Sequence, residues 1–433
     1  MAGIKERPFW KDTAPQIPSY ADRPLPDEAD VVVIGGGYTG VSTALHLAKK
    51  GAHVILLERE TLGWGASSRN GGMVLSGLKI PVQLAIRRYG LETARRLYQA
   101  ALDSIDCVEQ LVRDDGIECD FRRSGAIGMA YKLSHFHRLR QTQALLARDF
   151  RHQTELVSRD EQRSEIGSDF YHGGLVDPRG AGLHPGKYIA GLVCAAGRAG
   201  VDLHDHVQAL EIKPITVNDP RSTGGSVITS NGTIRARQVM LATNGYSGPV
   251  HKALRRRMIP IGSYIVVTEP LPDELACEVS PRGRMIWDSK NFLYYFRLTP
   301  DNRMLFGGRA SFVPSTPETN QVSARILRRA MTTVYPQLAG VRVEYVWGGT
   351  LGFTLDRLPH AGEMGGVHFA MGYCGHGVAM ATYLGKCMAE VIDGNPEANP
   401  FRELPFPPVP LYTGLPWFLP LAGAYYKVLD WLS

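Results

Sequence analysis

Three glycines followed by an acidic residue form the part of the sequence best suited to bind a ligand. Gly35, Gly37 and Gly40 have the spacing G-x-G-x-x-G, and Glu58 follows eighteen residues after the last of them. At this spacing the first glycine permits a tight turn, the second lets a pyrophosphate approach the backbone, and the third lets a helix pack closely on a strand. An acid at that distance can accept a hydrogen bond from a ribose hydroxyl. The pattern predicts a dinucleotide site.

The residues around these glycines predict a strand, a helix and a second strand. Residues 31–34 and 54–57 are apolar runs typical of strands buried on both faces. Between them, apolar residues recur at helical spacing: Ala44, Leu45, Leu47 and Ala48. A helix that begins directly after the glycines turns its free N–H groups toward a phosphate. The order of these elements predicts an α/β, Rossmann-like domain.

Two further glycine-rich segments are predicted to be loops. Residues 62–73 are mostly small, so they have no core of their own and suit a loop that lies against a flat, polar ligand. Residues 372–378, Gly-Tyr-Cys-Gly-His-Gly-Val, follow a short apolar strand and open a helix. Here again a helix N-terminus is offered to a negative group.

The composition is that of an ordinary globular protein with room for two domains. The chain has 433 residues, 44% hydrophobic and 21% charged, with a formal net charge of +6. The basic pairs lack interleaved aromatic residues, which favours solvated surface charge over a nucleic-acid site. The six cysteines show no metal-like spacing and predict reduced thiols. The first ten residues have no apolar signal region, so we expect the cytoplasm.

The region from residue 258 predicts a second domain. Closely spaced β-runs at 259–268, 285–288, 292–298 and 304–308 are separated by Pro, Asp and Gly, as in an antiparallel sheet. We assign 1–80, 151–257 and 345–410 to the cofactor-binding domain, and 81–150 and 258–344 to a discontinuous antiparallel-sheet substrate domain. The expected fold is thus α/β, in the sense of a two-domain α+β chain.

The last 23 residues, 411–433, predict an apolar helical tail. Leu421, Tyr425, Val428, Leu429 and Leu432 form one helical stripe, while prolines and two charges oppose a membrane-spanning helix. The stripe either docks on the protein, which we favour, or makes a peripheral contact with the inner face of a membrane.

The chain resembles the D-amino-acid-oxidase-like flavoproteins, and most of all their gamma-glutamylputrescine oxidase branch. The resemblance lies in the glycine turn at 35–40, the Gly-Trp-Gly-Ala-Ser-Ser-Arg-Asn-Gly-Gly segment at 63–72, Phe-Gly-Gly-Arg at 306–309, Trp-Gly-Gly at 347–349 with Asp-Arg-Leu-Pro at 356–359, and the loop at 372–378. These segments span nearly the whole chain. The resemblance implies FAD as the cofactor and oxidation of a C–N bond.

The resemblance implies that FAD is held by residues from several segments. Those expected to contact it are Gly35, Gly37, Tyr38, Thr39, Gly40, Glu58, Arg59, Gly65, Ala66, Ser67, Ser68, Arg69, Asn70, Gly71, Gly72, Met73, Val207, Thr243, Asn244, Gly375, His376, Gly377 and Val378. Within this set, Glu58 would hold the adenosine ribose, and the helix that opens after Gly375 would stabilise charge at the flavin pyrimidine edge. A packed loop histidine remains an alternative for His376.

Two departures from the family pattern refine the expectation. Some relatives tether flavin through a His in the Ser-Arg-Asn segment or a Cys near Trp347. This chain has Arg69 and Asn70 at the first position and residues 348–350 at the second, so we expect non-covalent FAD. Where the amino-acid members carry a carboxylate-binding Arg, it has Thr350 and Leu351. Thr does not replace a bidentate fork. An amine is therefore a better substrate than an α-amino acid.

The remaining candidates are aromatic and basic residues of the second domain. We nominate His376, Tyr264 and Trp347 at the reacting centre, and Tyr294, Tyr295, Arg297 and Arg309 for substrate contact. Each could instead be an ordinary core or strand-end residue.

Three functions remain open at this stage. The first is an FAD-dependent amine oxidase that yields an aldehyde and an amine and reduces O2 to H2O2, acting on a gamma-glutamylputrescine-like or other secondary amine. The second is a membrane-associated FAD dehydrogenase of a cyclic or N-methyl amino acid that passes electrons to an acceptor such as quinone. The third is a flavin-binding protein without turnover. No metal is expected.

Overall fold

The protein is described by a computed structural model that covers residues 3–214, 225–308, 316–414, 416–419 and 423. Across these ranges the strands form two eight-stranded sheets and one two-stranded sheet. The strands are β1 Glu28–Ile34, β2 Val54–Leu57, β3 Met73–Val74, β4 Ala126–Met129, β5 Glu155–Val157, β6 Gly174–Asp177, β7 Ala181–Gly182, β8 Asp202–His204, β9 Ala209–Pro214, β10 Gly225–Thr229, β11 Thr233–Leu241, β12 Ile259–Pro270, β13 Met285–Asp288, β14 Tyr294–Leu298, β15 Arg303–Gly308, β16 Val343–Phe353, β17 His360–Met364 and β18 Val367–Met371.

Ten α-helices lie in the described ranges. They are α1 Phe9–Asp12, α2 Tyr38–Lys49, α3 Val82–Tyr89, α4 Leu91–Asp114, α5 Leu133–Phe150, α6 Pro185–Arg198, α7 Lys252–Arg255, α8 Asp273–Val279, α9 Pro317–Val334 and α10 Gly377–Ile392. No helix in the described part of the chain is both long enough and apolar enough to cross a bilayer.

The first sheet has the order β17-β18-β11-β1-β2-β8, and β9 and β10 extend it beside β11. β1 pairs in parallel with both β11 and β2, and α2 connects β1 to β2. Val31 and Val33 pack into a core with α2 and α10, whereas Val32 and Ile34 pack into the core on the opposite face. Burial on both faces explains the unbroken apolar run and confirms the predicted Rossmann-like strand.

The second sheet has the order β16-β12-β15-β14-β13-β4-β6-β5. Its pairs are antiparallel except for β13 with β4. One face packs on α9 through Val266, Phe296 and Phe306, and the other carries Trp347 and Leu305 beside Phe9 and Trp10. The two-sheet architecture confirms the predicted fold class.

Several elements belong to a different sheet from the one that the predicted domain limits assign to them. β5 and β6 lie in the second sheet, because β6 pairs with β4. β16 also lies there, paired with β12 along most of its length. Conversely, α4 packs in the core of the first sheet through Leu97, Ile105 and Val108. Since helix α4 precedes β4 directly, its amphipathic pattern alone did not indicate which sheet it covers.

Between β8 and β9 the chain leaves the extended conformation. His206 has φ +56°, a left-handed conformation that an extended strand does not allow. The tail stripe at 421–432 lies outside the described residues, apart from Gly423.

Candidate active site

The turn between β1 and α2 depends on two glycines. Gly35 has φ +114°, and a Cβ placed there would lie 2.9 Å from the carbonyl oxygen of Ala242 on the neighbouring strand. A Cβ on Gly40 would lie only 1.9 Å from the carbonyl oxygen of Gly35. The chain therefore reverses sharply at the end of β1, and α2 begins hard against it. A Cβ on Gly37, between the two, would contact only the Ser67 hydroxyl oxygen, at 3.0 Å.

The carboxylate of Glu58 is fixed beside this turn. One of its oxygens accepts the Gly36 N–H at 2.8 Å and the other accepts the Glu60 N–H at 2.9 Å. A carboxylate has about four acceptor positions, so each oxygen retains one for a hydroxyl donor. Val207 lies directly alongside, since its N–H donates to the Glu58 carbonyl oxygen at 2.9 Å. Arg59 points to solvent and pairs with Glu60 at 3.3 Å.

The first residues of α2 turn their side chains into the protein. The Tyr38 N–H donates to the Ser67 hydroxyl at 2.9 Å, and the Tyr38 ring is buried. The Thr39 hydroxyl bonds the Tyr373 hydroxyl at 2.6 Å. Both side chains are thus turned into the protein, so a ligand at the helix N-terminus would meet backbone there, and the Tyr38 N–H is already donated to Ser67.

The loop at residues 65–73, here called the glycine loop, is held by side chains from distant elements. Trp347 Nε1 donates to the Arg69 carbonyl oxygen at 2.9 Å. Arg297 Nη1 donates to the Gly72 carbonyl oxygen at 2.9 Å. Both donors belong to the second sheet. Within the loop, the Asn70 amide bonds the Ala66 and Ser67 carbonyl oxygens and accepts the Gly72 N–H.

Arg69 within the glycine loop and Arg297 beside it both have guanidinium groups bound to backbone carbonyls. Arg297 is buried and donates also to the Leu183 carbonyl oxygen at 3.0 Å; burial lowers its pKa to about 10. Arg69 donates to the carbonyl oxygens of Trp64 at 2.9 Å and Gly348 at 3.2 Å. Burial lowers the pKa of Arg69 as well. Neither guanidinium offers an open fork of the kind that grips a substrate carboxylate.

Asn244 and its neighbour Thr243 link the glycine segment at 372–378 to the turn after β1. Asn244 has φ +45°, and its Oδ1 accepts the Gly372 N–H at 3.0 Å. Thr243, beside it, bonds Ser247 through its hydroxyl at 2.6 Å. A Cβ on Gly35 would lie 3.3 Å from the Thr243 nitrogen, so this segment and the first turn are adjacent.

Helix α10 begins at Gly377 without a side-chain cap, and Val378 is buried in its first turn. Gly375 has φ +90° and is exposed just before it. His376 is partly buried, and burial together with the charge of Lys79 lowers its pKa to about 3. The imidazole is therefore neutral at pH 7.

Two buried polar atoms test whether these segments suit a cofactor. Ser68 Oγ and His376 Nδ1 have no hydrogen-bond partner among the described residues. Both lie in segments predicted to hold FAD, where a ligand with polar atoms would satisfy them. The fixed carboxylate of Glu58, the free helix N-terminus and these two atoms fit a dinucleotide.

The aromatic candidates divide between the two faces of the second sheet. Trp347 and Tyr295 face the glycine loop; a Cβ on Gly71 would lie 3.1 Å from the Tyr295 ring. Tyr264 is fully buried on the other face, where its hydroxyl reaches Thr319 of α9 at 3.2 Å. Tyr294 lies on that face too, with the Lys290 ammonium 3.9 Å from its ring centre. The structure thus brings together Trp347 and Tyr295 but not Tyr264 or Tyr294.

Arg309 lies outside the described residues.

Two residues that the sequence did not suggest join the site. Lys79 lines a small cavity with His376 and Tyr373. Trp10 donates its indole N–H to the Asn70 carbonyl oxygen at 2.7 Å. No spacing rule connects either residue to the glycine segments, since both contacts arise from tertiary packing.

Comparisons with known proteins give matches over most of the chain. The profile of the family described as "FAD dependent oxidoreductase" matches residues 30–391. The chain is 34% identical to "Probable oxidoreductase OrdL" of Haemophilus influenzae, with 93% of this chain and 92% of that protein covered. It is 32% identical to the gamma-glutamylputrescine oxidoreductase of Escherichia coli, with 93% of each covered.

Solved structures support the fold. Glycine oxidase from Geobacillus kaustophilus superposes with a TM-score of 0.70 at 20% identity, covering 90% of this chain and 99% of that one. L-proline dehydrogenase from P. horikoshii gives a TM-score of 0.68 at 19% identity, covering 87% and 98%.

Proposed function

The chain belongs to the family of FAD-dependent oxidoreductases that includes amine and amino-acid oxidases, and from that premise we propose that it oxidises the C–N bond of an amine. The substrate is a gamma-glutamylputrescine-like amine or, alternatively, a secondary amine. Its products are an aldehyde and the released amine, and O2 is reduced to H2O2. The name of the Escherichia coli relative supports this substrate class.

One observation carries the choice of an amine over an α-amino acid. Arg297 has both terminal guanidinium nitrogens bound to backbone carbonyls, and Arg69 within the glycine loop is bound to two such carbonyls through Nε and Nη1. Opening the Arg297 fork would leave two buried carbonyl–guanidinium bonds unmade, at about 1.5–3 kcal/mol each. Thr350, at the position where the resemblance places a carboxylate-binding Arg, is neutral and donates its N–H to Tyr246 at 3.1 Å.

The residues of the site bind and orient rather than transfer protons. When bound, FAD would supply the acceptor for a hydride equivalent from the substrate carbon. The N-terminus of α10 at Gly377 stabilises negative charge near it. His376, neutral at pH 7, contributes a hydrogen bond and no charge. The amine reacts in its deprotonated form, so no strong base is needed. Water then hydrolyses the substrate iminium to aldehyde and amine, with release of one proton.

We also propose that FAD is bound non-covalently. The two positions that tether flavin in some relatives hold Arg69 with Asn70, and Gly348 to Thr350, none of which forms such a bond. Acid precipitation of the yellow protein is expected to leave all the flavin in the supernatant. Flavin retained in the washed pellet would contradict this part of the proposal.

The substrate class is tested by mixing the holoenzyme anaerobically with a panel of amines and α-amino acids and following the loss of flavin absorbance. We expect bleaching by gamma-glutamylated or secondary amines, followed by re-oxidation in air with one H2O2 per turnover. Bleaching by α-amino acids alone would refute the amine proposal. A flavin that binds but is bleached by no member of the panel would favour a non-catalytic role.

A second candidate is a dehydrogenase that works at a membrane surface. Leu411 and Trp417 are 85% and 64% exposed in the described part of the tail, so this segment presents apolar side chains that a membrane surface would bury. This candidate predicts slow re-oxidation in air, fast re-oxidation by a quinone, and flotation of the protein with lipid vesicles. Rapid peroxide formation without flotation would exclude it.

A further inference from the structure

The segment before the first strand lies between the two large sheets. Lys5 pairs in parallel with β16: its N–H donates to the Glu344 carbonyl oxygen at 2.8 Å, and its carbonyl oxygen accepts the Val346 N–H at 3.0 Å. A few residues later the chain touches α6, where a Cβ on Gly186 would lie 2.3 Å from the Trp10 carbonyl oxygen. Residues 5–13, here called the N-terminal arm, thus join the second sheet to the helix layer of the first.

Trp10 is the residue of the arm that reaches the glycine loop. Its ring is fully buried and packs edge-on against His184, with ring centres 4.7 Å apart. The Arg297 guanidinium lies 5.6 Å from the ring centre. The indole N–H donates to the Asn70 carbonyl oxygen at 2.7 Å, the shortest of the three bonds that side chains outside the loop donate to carbonyls 69, 70 and 72 in the part of the chain that is described.

These three bonds help to orient the loop's peptide groups, together with the Leu183 N–H, which also donates to the Gly72 carbonyl oxygen at 2.9 Å. Trp347, Trp10 and Arg297 bind the carbonyl oxygens of residues 69, 70 and 72. Because a trans peptide is planar, the N–H groups of residues 70, 71 and 73 point away from the donors. The loop contains two successive glycines and has little side-chain packing of its own, so the carbonyl bonds supply much of its order.

We propose that Trp10 is a positioning residue for the cofactor: with Trp347 and Arg297 it sets the glycine loop in its binding conformation before FAD arrives. This inference rests on the proposed function, since it takes the glycine loop as the flavin-binding loop. Order established in the free protein need not be imposed by the ligand, so the arm strengthens FAD binding without touching it.

The test is Trp10→Phe, which keeps an aromatic ring and removes the N–H. We expect the Kd for FAD to rise about fivefold or more, measured by quenching of flavin fluorescence in FAD-free protein. The flavin absorption maxima are expected to shift, because the loop contacts the flavin. In the FAD-free protein, hydrogen–deuterium exchange over residues 66–75 is expected to accelerate. Trp417→Phe, at an exposed tryptophan, is the matched control and should change none of these.

Several outcomes would overturn the proposal. A folded Trp10→Phe protein with unchanged loop exchange and unchanged FAD affinity refutes it directly. Weaker FAD binding with uniformly faster exchange across the chain would assign Trp10 to the core instead. If Trp10→Phe does not fold, benzothienylalanine at position 10 replaces only the N–H; an unfolded protein there also refutes the proposal. Failure of the proposed function looks different, since no amine of the panel would then bleach the flavin while FAD affinity and loop exchange still responded to Trp10→Phe.

Discussion

Replacement of Glu58 by Gln tests the carboxylate at the ribose end of the predicted dinucleotide site. The carboxylate accepts one backbone N–H on each oxygen, from Gly36 at 2.8 Å and Glu60 at 2.9 Å. A glutamine has one acceptor oxygen and one NH2 group, so it can accept only one of these two backbone N–H groups. Its NH2 group then faces the other N–H, donor against donor. It also loses the negative charge that strengthens a hydrogen bond from a ribose hydroxyl.

The expected loss follows from the number of bonds affected. A hydrogen bond to a charged group contributes about 1.5–3 kcal/mol, and tenfold in affinity corresponds to 1.4 kcal/mol. Because Glu58 is only partly buried, water compensates for some of the loss, and we expect the lower end of that range. The Kd for FAD should therefore rise roughly tenfold in Glu58→Gln.

Titration of FAD-free protein with FAD and, separately, with FMN measures the effect and locates it. FMN lacks the adenosine ribose, so its affinity should be the same in wild type and Glu58→Gln. Glu60→Gln is the control, since the Glu60 carboxylate pairs only with the exposed Arg59 in the described residues. Equal FAD affinity in wild type and Glu58→Gln, or an equal loss for FMN and FAD, would refute the placement of the ribose at Glu58.

Three further predictions test the glycine turn after β1, the histidine that packs against Trp10 of the arm, and the substrate pocket. Gly40→Ala should prevent folding, as a Cβ there lies 1.9 Å from the Gly35 carbonyl oxygen, whereas Gly37→Ala should fold with native circular dichroism but bind FAD at least about tenfold more weakly. Burial lowers the pKa of His184 to about 4, from about 6.5 in an unfolded chain. The neutral imidazole's contribution to the free energy of unfolding is therefore fully present above pH 6.5 and is lost as the pH falls toward 4, by up to about 3 kcal/mol. Urea unfolding of His184→Asn should show a weaker dependence of this free energy on pH. Thr350→Arg should raise kcat/KM for α-amino acids relative to amines about tenfold, whereas Thr350→Met should not.

The sequence predicted the fold best where a local rule determines the backbone. β2 at Val54–Leu57 and β13 at Met285–Asp288 are confirmed residue for residue, because an apolar run ends at a polar or turn residue on each side. β17, His360–Met364, was missed: it has no β-branched residue, and its central Gly362 has φ +159°. It is a strand because it pairs with β18, a contact that local propensity does not encode.

The site was predicted unevenly for the same reason. The glycine turn and Glu58 follow from spacing, since each acts within one βαβ unit. The aromatic candidates did not all reach the loop: Tyr294 and Tyr295 are neighbours on one strand, and successive side chains point to opposite faces. That rule already forbids both from lining one pocket. Sequence alone gave no sign that Arg297 binds the Gly72 and Leu183 carbonyl oxygens.

The contacts of the glycine loop couple the two parts of the molecule that a domain division would separate. Trp347 and Arg297 belong to the sheet predicted to bind substrate, yet their side chains hold the backbone predicted to bind the flavin. A substitution that widens the pocket at either residue therefore also releases a loop carbonyl. Substrate preference on this scaffold is more safely altered at positions such as Thr350, whose side chain carries none of these bonds, because changes there leave the loop's peptide groups in place.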